Sequence, residues 1–222
     1  MKSSHEQFRD YRVSFSIADG ELLQKLAALP VDQRAAAIEL LLEIQSRKQD
    51  EAARENFMAF VRRMWPAFIE GAHHKKMADA FERVARGELK RVIINLPPRH
   101  TKSELASFLF PAWFLGKYPE KKVIQASHTA ELAKDFGRNV RNLIGSEDYQ
   151  HVFPGVELAP DNKAAGRWNT NKRGTYFAVG VDGAVAGKGA DILIIDDPHS
   201  EQEATLGEWN PAIYDKVYKW YT

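Results

Sequence analysis

Two short runs hold the residues best suited to chemistry. The first is Pro97-Pro98-Arg99-His100-Thr101-Lys102-Ser103, which follows an apolar run and opens a segment of helical character. A loop that feeds a helix N-terminus offers free amide hydrogens and the positive end of the helix dipole to an anion. In a G-x-x-x-x-G-K-[ST] loop the lysine reaches the β- and γ-phosphates and the next hydroxyl binds Mg²⁺. Lys102 and Ser103 stand at those two places, while Leu96 and Thr101 occupy the two glycine positions. The second run is ILIIDD, which ends in Asp196 and Asp197, 94 residues beyond Lys102. Parallel strands release their carboxyl ends on one side of a sheet, where ligands bind. One carboxylate there can hold the Mg²⁺ that Ser103 also touches, and its neighbour can orient or activate a water. Taken singly, each run also has a plain reading. Lys-Ser at a strand–helix junction arises often by chance, and Asp-Asp-Pro is good turn chemistry. Taken together and in this order, they favour nucleotide hydrolysis.

Other features are less decisive. Gly183 to Asp191 carries three glycines and Lys188, which suits either a close backbone approach to a phosphate or a connection between strands. Between Arg83 and Lys102 six Lys/Arg face one acid, Glu88, a local excess that suits nucleotide or DNA. The adjacent pair His73-His74 would point about 100° apart on a helix, a poor geometry for one metal ion. No H-E-x-x-H motif or Ser-His-Asp order is legible, and Trp168, Trp209 and Trp220 read as packing residues.

The elements that must position these groups follow from periodicity. Val31, Ala35, Ile38 and Leu42 recur on one helix face, the charged stretch 46–55 follows, and Phe57, Phe60, Val61 and Met64 form a second helical pattern ended by Trp65-Pro66. Beyond Ala72 helix and strand alternate. HHKKMADAFERVARGE reads as a helix, RVIINL (91–96) as a strand, and SELASFLFPAWFLG as a buried helix that Pro111 must kink or break. KKVIQAS (121–127) is the next strand and TAELAKDFGRNVRNLIG an amphipathic helix. FPGVELAPDNKAAGRWNTNK reads as irregular, and GTYFAVGV and DILIIDD (191–197) as strands. Apolar runs of this kind suit strands covered on both faces. The sum is an α/β domain with a mostly parallel central sheet flanked by helices.

Composition sets the outer bounds. The 222 residues are 44% hydrophobic and 27% charged, ordinary for a globular chain with room for a sizeable core. Thirty-one Lys/Arg against 30 Asp/Glu give a net charge of +1, so no overall basic excess points to nucleic acid. Cysteine is absent, which excludes disulfide scaffolds, cysteine-ligated zinc and thiol nucleophiles. No apolar run is long enough to span a membrane, and the first residues lack the apolar core of a secretion signal.

The run RVIINLPPRHTKSELASFLFPAWFLGKYPEKKVIQASHTAELAKDFGRNVRNLI, then FPGV, then GVDGAVAGKGADILIIDDPHS, resembles the large terminase subunit of tailed double-stranded DNA bacteriophages. The likeness extends from about Trp65 to Thr222. It implies a P-loop NTPase domain over 65–222 that couples ATP hydrolysis to DNA translocation into an empty capsid, preceded by a helical N-terminal arm over 1–64. By position, PPRHTKS resembles the family's deviant Walker A loop. Pro97, Pro98, Arg99, His100, Thr101, Lys102 and Ser103 would then line the ATP site, with His74 towards the adenine. ILIIDD looks like Walker B. The resemblance gives Asp196 and Ser103 to Mg²⁺, Asp197 the catalytic base, Lys102 the phosphates and Arg99 the sensing of the γ-phosphate. Relatives usually show glycine at the place of Thr101, and often glutamate at that of Asp197.

The partners implied are double-stranded DNA, the small terminase subunit, the portal of the procapsid and further copies in a ring, in the host cytoplasm during assembly, with no membrane. Lys188 and Arg167 are candidate donors of charge to a neighbouring subunit's site. The resemblance also places Thr222 short of the family's coupling motif and nuclease domain, so nuclease activity is not expected of this chain. Two readings stay beside it: a helicase-like or repair ATPase, and a non-hydrolysing P-loop-like assembly module.

Overall fold

A computed structural model describes residues 20–185, 187–200, 202, 203, 205 and 210–222; Trp209 and Ala186 lie outside the described residues. The chain divides into two compact units, Met1–Arg47 and Lys48–Thr222. In the first unit, α1 (Gly20–Ala28) turns into the start of α2 (Val31–Glu55). The Arg34 guanidinium donates to the carbonyls of Leu29 (2.9 Å) and Ala27 (2.6 Å), closing groups that the end of α1 leaves without helical partners. Val31, Ile38 and Leu42, the seam read from the sequence, are exposed.

The second unit begins within α2, so the stretch 48–64, read above with the N-terminal arm, belongs to the α/β unit. Here α3 (Phe57–Met64) is capped by Asn56, whose side-chain oxygen accepts from the Ala59 amide at 2.8 Å. The Asn56 side-chain amide and the Phe57 backbone N–H both donate to Glu82 of α4 (Ala72–Ala85), which ties the two helices together. Phe57 packs edge-to-face with Phe81, Phe110 and Trp113, and Phe60 packs edge-to-face with Tyr149 and at a tilt on Phe153. Trp113 satisfies its indole N–H on the Ala53 carbonyl at 3.0 Å.

Pro111 does not end the helix. Residues 102–103 are helical, Glu104–Leu109 widen into a π-helical turn, and α5 (Phe110–Lys117) continues from there. The Phe110 amide reaches back five residues to the Leu105 carbonyl. A wider turn removes the demand for an amide at Pro111, because the proline enters where the register has already slipped by one residue.

The sheet has five strands in the order β2-β3-β4-β1-β5. These are β1 (Lys122–Ser127), β2 (Leu158–Ala164), β3 (Arg167–Thr170), β4 (Thr175–Gly180) and β5 (Ile192–Ile195). β1 runs parallel to β4 and to β5, whereas β2 with β3 and β3 with β4 are antiparallel. The sheet is therefore mixed, and the mostly parallel arrangement expected from the sequence is corrected. The extra antiparallel pair comes from residues 153–172, expected to be irregular. There β2 and β3 form a hairpin that buries Trp168, stacked on Tyr176 at 4.9 Å with its N–H on the Gly137 carbonyl. The expected strand at 91–96 makes no ladder: Ile93 is 87% exposed, while Ile94 and Leu96 pack on the core.

Helices cover one face. α6 (Ala130–Ile144), capped by Thr129, lies on β4 and β1, close enough that a Cβ on Gly137 would stand 2.5 Å from the Ala165 carbonyl. After it comes α7 (Glu147–Val152), where Tyr149 gives its hydroxyl to the Ala112 carbonyl at 2.9 Å. The opposite face holds a smaller cluster of Ile124, Ala126 and Val179, against which Trp220 of α8 (Ala212–Tyr221) packs.

Candidate functional site

The carboxyl ends of β1, β4 and β5 come together at Ser127, Gly180 and Ile195, since Ser127 pairs with Gly180 and Ala126 with Ile195. Asp196 continues β5, its amide donating to the Ala126 carbonyl at 3.0 Å. This is where the sequence runs that suggested chemistry converge. The Lys102 ammonium donates to Asp197 Oδ1 at 2.5 Å and stands 3.6 Å from Asp196 Oδ1. Groups 94 and 95 residues apart thus form one cation–dicarboxylate cluster. Burial disfavours the charge on Lys102, but the Asp197 hydrogen bond and the Asp196 charge outweigh it and raise its pKa above the ordinary lysine value.

The two carboxylates differ in surroundings. Asp196 is buried and its Oδ2 accepts the Ser107 hydroxyl at 2.8 Å. The side chain of Asp197 is 60% exposed and its backbone lies at φ +43°, a conformation aspartate tolerates better than most residues. Its carbonyl is held from β1 by His128, whose backbone N–H and Nδ1 each approach at 3.2 Å. A carbonyl only accepts, so Nδ1 carries the proton. One carboxylate is therefore fixed and dry, and the other is wet and tethered through its backbone.

The loop opposite is shaped by two non-glycine residues in the left-handed region, Arg99 at φ +63° and Thr101 at φ +55°. For β-branched Thr101 this is a strained position. What holds it is a hydrogen-bond chain. The Gly71 amide donates to His74 Nδ1 at 2.8 Å, so the neutral ring carries its proton on Nε2. That proton goes to Thr101 Oγ1, also at 2.8 Å, and the Thr101 hydroxyl donates to the His100 carbonyl. His100 Nδ1 in turn donates to the Pro98 carbonyl at 2.9 Å. Burial, then the neighbouring His73, pushes His74 below the ordinary histidine pKa. The ring centroids of His73 and His74 lie 3.7 Å apart, and that of Phe68 lies 4.7 Å from His74.

The fold therefore brings together Lys102, Asp196 and Asp197, and ties His74 and Thr101 to the same loop. Pro97, Pro98, Arg99, His100 and Ser103 lie on that loop or at the helix start, with Ser103 half-buried beside Lys102. Sequence reasoning missed Ser107 and His128. Ser107 sits four residues after Ser103, one helical turn further on, a spacing that could have marked it. His128 directly follows a strand whose end faces the site. Beneath them, the amide of Gln125 and the hydroxyl of Ser127, both fully buried, find no hydrogen-bond partner among the described residues. As a set, Lys102, Arg99 and the free amides of a helix start suit phosphate oxygens, and Asp196, Asp197 and Ser103 offer oxygen ligands suited to Mg²⁺. Among the described residues no group of three or more His, Cys, Asp or Glu could bind a metal by itself. An ion here would need further oxygens from a ligand or from water.

An open α/β sheet with a lysine loop and paired aspartates at the carboxyl ends of its parallel strands is a class of arrangement able to receive phosphate groups. Comparison with known proteins narrows the class. No protein-family model matches the chain. Among curated proteins it is similar to the large subunit of the terminase of Enterobacteria phage T3, 26% identical over 145 residues that take in 64% of this chain and 25% of that protein. The resemblance carried by the sequence motifs thus has a counterpart in a curated protein, and the chain spans about a quarter of the length of this relative.

Proposed function

We propose that the chain is an ATP-hydrolysing P-loop domain of a phage DNA-packaging motor, acting on double-stranded DNA in the host cell during assembly, together with the small terminase subunit, the portal and further copies of itself. The observation that carries this reading is the placement of Lys102 between Asp196 and Asp197, joining the PPRHTKS loop to the end of ILIIDD. The likeness to a terminase large subunit supports the packaging role.

In this reading Pro97 to Ser103, with His74 beside them, hold the nucleotide, and Ser103 and Asp196 hold Mg²⁺. Bound Mg-ATP supplies an electrophilic phosphorus and the charge neutralisation its transfer requires. Lys102 already carries its positive charge and can pass from Asp197 to a phosphate oxygen at little desolvation cost. Asp196, fixed by Ser107, is the carboxylate suited to an ion. Asp197 is exposed and gives up one hydrogen bond when Lys102 moves, so it is the group able to take a proton from water. Arg99 lies on the exposed loop and can meet charge that develops there.

Mg²⁺-dependent phosphate release from ATP tests the assignment. The parent chain turns ATP over, and Asp196→Ala lowers the rate by two orders of magnitude or more. Unchanged hydrolysis by that variant would contradict the role of Asp196. One observation favours the assembly-module reading: Thr101 stands where a glycine is expected and is locked to His74. No binding of ATP by the folded chain at millimolar nucleotide would move the conclusion there.

A further inference from the structure

The sheet face turned away from α5 and α6 carries a registered row of Arg167, Phe177, Ile124 and Leu193, because Arg167 pairs with Phe177, Phe177 with Ile124 and Ile124 with Leu193. The next row towards the start of the parallel strands holds Asn169, Thr175 and Lys122. The Lys188 ammonium sits 3.5 Å above the centroid of the Phe177 ring, returning from the glycine loop to the same patch. Lys122, Arg167, Thr175, Phe177 and Lys188 line an open cavity of about 210 Å³ to which no acid contributes among the described residues.

None of the three cations forms an ion pair among the described residues. Asp191, the acid nearest to Lys188 in sequence, is already engaged by the Lys121 ammonium at 3.0 Å and the Lys122 backbone N–H at 2.8 Å. Three cations that line one cavity and form no ion pair among the described residues repel one another, and an anion relieves that repulsion. The loop above leaves room for a large ligand: nothing lies within 4 Å of where a Cβ would stand on Gly187 or Gly189. This patch is also remote from the lysine–aspartate cluster. Lys122 begins β1 and Ser127 ends it, roughly 16 Å apart at about 3.3 Å per residue.

We propose that Lys122, Arg167 and Lys188 form a contact surface for the phosphodiester backbone of double-stranded DNA, separate from the nucleotide site. This rests on the packaging reading for the identity of the polyanion and on the cluster itself for the location. Exposed and in no ion pair among the described residues, Lys122 and Arg167 on the sheet and Lys188 above the Phe177 ring suit contacts to phosphates that position a duplex without reading its sequence. Thr175 adds a hydroxyl, although its oxygen already accepts from Asn169 at 3.1 Å.

The test is fluorescence anisotropy of a labelled 30-base-pair duplex titrated with the 222-residue chain at several salt concentrations, alongside calorimetry with Mg-ATP. Each of Lys122→Gln, Arg167→Gln and Lys188→Gln is expected to weaken duplex binding about three- to tenfold. The triple variant should flatten the log affinity–log salt slope by about 2 to 3. A charge-keeping triple, Lys122→Arg with Arg167→Lys and Lys188→Arg, should bind the duplex within a few-fold of the parent, which shows that charge rather than folding is measured. Lys48→Gln should leave binding within twofold. A glutamine triple that binds the duplex with parental affinity and slope overturns the proposal, as does a parent chain that binds no duplex at low salt. Mg-ATP that displaces the duplex, with its own affinity lowered equally by the glutamine triple, assigns the patch to nucleotide phosphates and overturns it too. If the parent binds no Mg-ATP yet the triple still loses the duplex, the nucleotide reading falls and the DNA contact stands.

Discussion

The two faces of the sheet are built to different ends. On the helix-covered face Val123, Ile192, Tyr176 and Trp168 share one core with residues of α5 and α6 and with Phe57, Trp113 and Tyr149, all buried. On the other face the cluster is small, Leu193 is 43% exposed, and charged side chains stand among the apolar ones. Side chains alternate between the faces, so β1, β4 and β5 each serve both purposes residue by residue. The packed face holds the larger core, and the open one a smaller cluster on which Trp220 packs. The lysine–aspartate cluster sits where the packed face reaches the end of the sheet, which gives Asp196 a buried, hydrogen-bonded place.

Substitutions can break this contrast, beginning with the largest effect. Trp113→Ala leaves a cavity among Phe57 and its neighbours and exposes the Ala53 carbonyl to loss of its partner. It should cost about 3–5 kcal/mol in denaturant unfolding, enough to leave little folded protein. Ser107→Ala withdraws the hydroxyl from a buried carboxylate and should cost about 1–3 kcal/mol in the same assay. Gln125→Leu should go the other way. Its amide is fully buried and has no hydrogen-bond partner among the described residues, so an apolar side chain of similar volume should gain about 1 kcal/mol. Leu193→Ser on the open face should change stability by less than about 1 kcal/mol.

A pH series sharpens the same contrast at the loop. Because the fold lowers the pKa of His74 below its ordinary 6.5, the unfolded chain binds a proton that the folded chain resists. The stability this contributes is full above about 6.5 and is lost as pH falls from there through the lowered folded value. His74→Gln should flatten the fall in unfolding free energy between pH 7.5 and 5.5. An unchanged slope would mean that other groups govern it.

Much of the site was legible in the sequence because short-range chemistry marks it. An apolar run that ends in two aspartates reads as a strand delivering carboxylates, and Lys-Ser before a helical pattern reads as a loop at a helix start. What eluded the sequence was set by long-range pairing or by compensation. RVIINL has the composition of a strand, but whether it joins a ladder depends on an edge partner that periodicity does not encode. Trp168 and Thr170 alternate inward in a stretch whose Pro, Asp, Asn and Gly residues pointed to a loop. Pro111 signalled a break, and a π turn absorbed it. Thr101 violates the glycine rule of its position and is held there by His74, a residue 27 positions away.

The most direct test of the account is calorimetric titration of Mg-ATP into the parent chain and into Lys102→Ala, with both first shown to be folded. Binding by the parent and a loss of tenfold or more in the variant are the expected result. Equal binding by the two chains, or none by the parent at millimolar nucleotide, would contradict the assignment of the Lys102–Asp196–Asp197 cluster as a nucleotide site.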